Sequence, residues 1–99
     1  MKALKEIKHI LNKHKPELFE KYPLKSIAVF GSYSRNEQKP VSDVDIMVEF
    51  TKPVGIRFID LADELEQLLD VKVDLVSKNG IKPKYYQSIK SDLIYVWKR

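Results

Sequence analysis

A chain of 99 residues with no cysteine can bury one modest core, but it has no disulfide and no thiolate zinc site. Its net charge is +4, and no run of the sequence approaches the roughly 20 apolar residues that a membrane-spanning helix needs. The opening MKALKEIKHILNKHK mixes lysines with apolar residues and lacks the apolar centre of a signal peptide. The expectation is a single domain over residues 1–99, cytoplasmic, with no membrane partner.

The charge is unevenly spread. Residues 1–25 carry seven lysines and three glutamates, residues 26–75 five basic and ten acidic side chains, and residues 76–99 six basic residues and one aspartate. An acidic centre therefore lies between basic ends. Such a balance suits ordinary solvated helix faces, and equally a protein that attracts a phosphate-bearing ligand or an acidic partner.

Leu4, Ile7, Ile10 and Leu11 recur at helical spacing, which predicts an amphipathic helix over residues 2–13. Pro16 can open a second helical turn through Leu18 and Phe19, ended by Pro23. The run SIAVF at 26–30 has the pattern of a strand buried on both faces. Residues 32–40 are polar and read as a loop or short helix. From Asp43 to Phe50 the period is two, with Val44, Ile46, Val48 and Phe50 on one face and Asp43, Asp45, Met47 and Glu49 on the other. Phe58, Leu61, Ala62, Leu65, Leu68 and Leu69 form the strongest helical pattern in the chain. Residues 71–76 alternate again, Val71, Val73 and Leu75 against Lys72, Asp74 and Val76. Asn79-Gly80 marks a turn. A short helix after Pro83 and a last strand over 93–97 complete an α/β (α+β) chain, a mixed sheet packed on helices.

Three aspartates stand out. Asp43 and Asp45 project from one face of a predicted strand, and two like charges held together are unfavourable unless a cation joins them. Mg²⁺ takes oxygen ligands, commonly one or two carboxylates plus substrate phosphates. Asp74 holds the matching place on the next predicted strand. If the two strands are neighbours, three carboxylates converge, enough for the two-ion clamp of an in-line displacement at phosphorus. Upstream, Gly31-Ser32 closes the buried strand. Glycine lets the backbone approach a phosphate closely, the Ser32 hydroxyl and nearby N–H groups can donate to it, and Arg35 adds a permanent positive charge. Each feature alone also has a bland reading: a turn, a strand end, a solvated acid.

In combination these residues resemble a known family. Gly31-Ser32, the ten-residue gap 33–42 and Asp43-Val44-Asp45 look like the signature of the DNA-polymerase-β-like nucleotidyltransferases. The short length, SDVDIMVEF at 42–50, KVDLV at 72–76 and KPKYYQSI at 82–89 resemble the minimal nucleotidyltransferases, the MNT family. Asn36 departs from the family's usual loop glycine, and because Asn tolerates positive φ the turn is expected to survive. The resemblance implies a polymerase-β-like fold in which Asp43 and Asp45 hold two Mg²⁺ ions and Asp74 holds the catalytic one. Gly31 and Ser32 would hold the triphosphate of ATP. AMP would pass to an acceptor, implied to be a tyrosine of a HEPN-domain ribonuclease toxin, so that the chain serves as its antitoxin.

Two alternatives stand beside this reading. One is an antitoxin that neutralises its toxin by docking, with chemistry dispensable. The other keeps the chemistry but changes the acceptor to a small molecule or RNA, for which the chain looks too short; nucleic acid is not expected as a partner. Among the remaining polar and aromatic residues, His9 and His14 read as solvated and Glu49 as lying too far along its strand for a metal. Tyr33 reads either as a stacking platform or as a loop cap. Tyr85, Tyr86, Tyr95 and Trp97 read as core rather than as a docking surface, and Lys78, Lys82 and Lys84 as a solvated cluster or a lure for phosphate.

Overall fold

The computed structural model describes residues 2–99. Its elements run α1 (Leu4–Lys13), α2 (Lys15–Lys21), β1 (Leu24–Phe30), β2 (Val44–Phe50), α3 (Arg57–Leu69), β3 (Val73–Ser77), α4 (Pro83–Ile89), a 3₁₀ turn (Lys90–Asp92) and β4 (Ile94–Lys98). The four strands form one mixed sheet in the order β3-β2-β1-β4. β1 pairs antiparallel with both β2 and β4, while β2 and β3 are parallel and joined through α3.

The expected periodicities account for these elements. Ile7 and Leu11 bury one side of α1, with Glu6 in its first turn and Lys13 in its last, the arrangement the helix dipole favours. Leu61, Leu65 and Leu69 bury the matching stripe of α3. Both stripes close on the sheet face that carries Ile27, Val29, Val44, Ile46 and Val48. The opposite face holds a smaller core of Phe30, Met47 and Ile89, covered by α4 through Tyr86 and the flanking Ile81. So α1, α2 and α3 share one core cluster with the sheet, and α4 lies on the other face.

The boundaries shift by a few residues for identifiable reasons. β1 begins at Leu24 rather than at Ser26, because Leu24 pairs with Phe50 across an irregularity in the ladder. β3 begins at Val73 rather than at Val71. Asp70 takes the left-handed conformation (φ 54°) that ends α3, and Val71 and Lys72 make the link to β3. Asp43 lies just ahead of β2, whose first rungs are Asp45 with Phe30 and Val44 with Val73.

Two side chains finish β2 and β3. The Val73 N–H donates to Glu66 Oε2 of α3 at 2.9 Å. Asn79 acts as one more rung beyond Phe50: its Oδ1 accepts from the Phe50 N–H at 3.0 Å and its Nδ2 donates to the Phe50 carbonyl at 3.3 Å. Replacing Asn79 by Ala leaves both Phe50 groups without these partners. We expect Asn79→Ala to lower stability by about 1 to 2 kcal/mol in urea titration, with the fold retained by circular dichroism.

Candidate active site

The site is built where β1 ends and β2 and β3 begin. Gly31 leaves β1 with φ +72°, which a residue with a side chain seldom adopts. A tight turn follows: the Gly31 carbonyl accepts from the N–H groups of Ser34 (3.1 Å) and Arg35 (3.2 Å) and from the Ser34 hydroxyl (2.9 Å). The Ser32 carbonyl accepts from the Glu37 N–H at 2.8 Å. Among the described residues, the N–H groups of Ser32 and Tyr33 have no protein acceptor. Asn36 sits at φ 57°, the left-handed turn for which its tolerance was expected to suffice.

Gly31 has a second, steric role. A Cβ at this position would lie 2.1 Å from Asp45 Oδ2. The Asp45 carboxylate thus rests directly over the glycine, in space that any side chain would fill.

The parallel register of β2 and β3 sets Asp45 opposite Asp74. Asp45 is pushed up to about 6, first by burial, then by the negative charge of Asp74, a hydrogen bond with it, and the charge of Asp43; the Arg35 cation opposes the shift. The expected convergence of three acids is therefore realised as a close pair, Asp45 and Asp74, with Asp43 acting on it through its charge. Among the described residues no three His, Asp or Glu side chains are drawn together tightly enough to form a ready-made metal site.

Arg35 is occupied within the loop. It pairs with Glu37 at 2.8 Å and with Asp92 of the 3₁₀ turn, a contact between residues 57 apart that no sequence pattern announces. Tyr85 of α4 is half-exposed, and its phenol is raised by burial and then by the charges of Asp74 and Asp45, which places it within their field. From sequence Tyr85 reads as core, whereas the Pro-led α4 leaves it exposed and within the field of the acids.

The other candidates fall elsewhere. Tyr33 packs into the main core and presents no platform to the site. His9 is exposed, and His14 contacts Glu17 at 3.3 Å. Glu49 faces Lys25 and Lys78 at 4.0 and 3.8 Å. Trp97 is buried against Phe19, ring centroids 4.4 Å apart.

A mixed four-stranded sheet with a glycine-serine turn at the end of one strand and acids at the start of the next two is the architecture of a small nucleotidyltransferase. Residues 11–96 match the nucleotidyltransferase domain family. The chain is 44% identical to the protein adenylyltransferase MntA of Thermococcus cleftensis, over 97% of this chain and 98% of that one. It also resembles a crystal structure of a toxin-antitoxin with AMP-PNP (TM-score 0.77, 31% identity, 89% of this chain and 73% of that chain). A structure of a tri-AMPylated Shewanella oneidensis HEPN toxin in complex with MNT antitoxin is similar as well (TM-score 0.71, 28% identity, 94% and 73%). The chain belongs to the nucleotidyltransferase domain family, among its minimal members, and is a nucleotidyltransferase.

Two measurements follow from the geometry. In metal-free buffer the folded chain holds the Asp45 proton up to about pH 6, while an ordinary carboxyl releases it near 3.8. The folded state binds the extra proton between those values, so this contribution is complete below about pH 3.8 and is lost as pH rises through about 6. Urea midpoints taken with EDTA at pH 5 and pH 7.5 should fall more for the wild type than for Asp45→Asn. Separately, Gly31→Ala should destabilise by at least about 1 kcal/mol through its positive φ alone. Adding Asp45→Ala should recover part of the loss, a non-additivity that a double-mutant cycle detects.

Proposed function

We propose that this chain transfers AMP from ATP, with Mg²⁺, to a tyrosine of a cognate HEPN-domain ribonuclease toxin, and thereby acts as its antitoxin. The observation that carries the reading is the Asp45–Asp74 pair held in register beside the Gly31-Ser32 turn. Support comes from the relative named protein adenylyltransferase and from the AMPylated HEPN toxin found with a structurally similar chain.

The donor set fits a hard divalent cation. All its atoms are carboxylate oxygens, and Asp45 is driven toward its neutral form first by burial and then by neighbours of like charge, a strain that bound positive charge relieves. Asp45 and Asp74 would hold such ions, with Asp43 joining from the segment ahead of β2. When bound, two Mg²⁺ ions neutralise the triphosphate and polarise the phosphoryl oxygens. The chain's own groups do the rest. The Ser32 and Tyr33 N–H groups and the Ser32 hydroxyl receive the β- and γ-phosphates, where the backbone at Gly31 permits close approach. Arg35, steadied by Glu37 and Asp92, keeps a positive charge at that end. Asp74 accepts the proton of the incoming hydroxyl. The new bond joins that oxygen to the α-phosphorus, the bond from the α-phosphorus to the bridging oxygen breaks, and pyrophosphate leaves.

A second reading is neutralisation by docking alone, with chemistry dispensable. The test separates the two. The double variant Asp43→Ala/Asp45→Ala is used to capture the partner from the host, and the partner's intact mass is recorded after wild-type chain, Mg²⁺ and ATP are added. The expected result is a gain of one or more AMP units that EDTA abolishes, with toxin control lost in the double variant. An unchanged mass with control retained by the variant would establish docking.

A further inference from the structure

Beyond the acids, along β3, the sheet face opens into a groove of about 520 Å³ lined by Val76, Ser77, Gly80, Ile81, Lys82 and Tyr85. Its walls are mainly apolar. Val76 lies two residues beyond Asp74 on the same face of the strand, roughly 7 Å further along at 3.3–3.4 Å per residue. From the adenylyl-transfer reading above, on which this inference rests, we propose that this groove seats the ring of the acceptor tyrosine, delivered by a protein segment with acidic residues beside it.

The first reason is the order of groups across the sheet. Gly31 ends β1, Asp45 follows on β2, and Asp74 stands on β3, the edge strand. An in-line displacement places the entering and leaving oxygens on opposite sides of the phosphorus. With the leaving pyrophosphate at the turn after β1, the incoming hydroxyl arrives from the β3 side. That is the side on which the groove begins. The base of the nucleotide, carried off this axis, is the competing occupant of the groove.

The second reason is chemical fit. A serine or threonine hydroxyl on a short stem would leave the apolar walls uncovered. A phenol fills them with its ring and presents its oxygen at the end nearest Asp74. Tyr85, half-exposed on the groove wall and within the field of Asp74 and Asp45, offers a ring for edge or offset stacking.

The third reason is charge. Lys82 lines the groove and Lys84 is exposed one position before Tyr85, while Lys78, over the Tyr86 ring at 5.7 Å, also faces Glu49 at 3.8 Å and adds less. A basic rim around an apolar slot selects acidic flanks around an aromatic residue.

The test uses the full chain and two probes, the α,β-methylene analogue of ATP with Mg²⁺ and an acetylated Glu-Glu-Tyr-Glu-Glu peptide, with the Ser-centred peptide as control. In NMR titrations the tyrosyl peptide should move the signals of Val76, Ile81 and Tyr85, and the analogue those of Gly31 and Ser32. Combining Tyr85→Ala with Lys82→Glu, both at exposed positions, should weaken the tyrosyl peptide by about tenfold or more and leave the analogue within about twofold. The proposal is overturned if the variant loses the analogue and keeps the peptide, since the groove then holds the base. It is also overturned if the peptide leaves Val76 and Ile81 unmoved, or if the Ser-centred peptide binds equally well. Should the tyrosyl peptide occupy the groove and yet gain no AMP from Mg²⁺ and ATP, the transfer reading fails while the seat for the ring stands.

Discussion

Two carboxylates sit opposite each other on adjacent parallel strands, and little in the architecture of the site is independent of that repulsion. Asp45 and Asp74 face one another because β2 and β3 run in parallel with Val44 opposite Val73. A slip of one residue would turn one acid into the core and bring an apolar side chain to the surface. The register is therefore fixed by the core on one face of the sheet, and the acids on the other face have no freedom to part. Burial of Ile46 and Val48 beneath α3 supports the unfavourable contact on the opposite face.

Several local devices maintain this arrangement. Gly31 gives the Asp45 carboxylate the room that a Cβ would take. Glu66 binds the Val73 N–H at the start of the edge strand, and Asn79 closes the far end of β2. α3 supplies the parallel crossover and, through its left-handed end at Asp70, sets where β3 begins. The same chain segments thus position the acids and cap the strands, so the stability of the sheet and the geometry of the site rest on shared contacts.

The fold was legible where periodicity is strong. The leucines of α3 and the alternation of β2 specify an element and the face it buries, because burial at a fixed period is a local property of the chain. The paired acids and the glycine-serine turn were legible from spacing. What escaped the sequence depends on contacts between distant segments. Arg35 meets Asp92 through the sheet order, and Tyr85 comes within the field of the acids because α4 crosses the second face of the sheet. Tyr33 reads from sequence either as a stacking platform or as a loop cap, and the turn after Gly31 directs it into the main core instead. The alternation places Asp43 on the strand with Asp45, but the ladder with β1 stops at Asp45 and the ladder with β3 at Val44, so Asp43 lies just outside β2.

The uneven charge of the chain acquires a meaning once folded. Asp45 of β2 and Asp74 of β3 meet at one end of the sheet, while Lys82 lines the groove that leads away from them and Lys84 is exposed in the first turn of α4. A triphosphate drawn to the turn and an acidic segment drawn to the groove are both anionic, and both would be repelled by Asp45 and Asp74 alone. Cations at the acids and lysines at the rim reverse that sign at short range. In the proposed reaction, then, metal, nucleotide and acceptor are mutually dependent: the acids admit the anionic substrates only when positive charge is present. Around the half-buried Asp45, beside the exposed Asp74, that dependence is steeper than in water. On that proposal, an acid pair that is strained when alone would, by the same physics, bind its cations and their phosphate ligands as a unit.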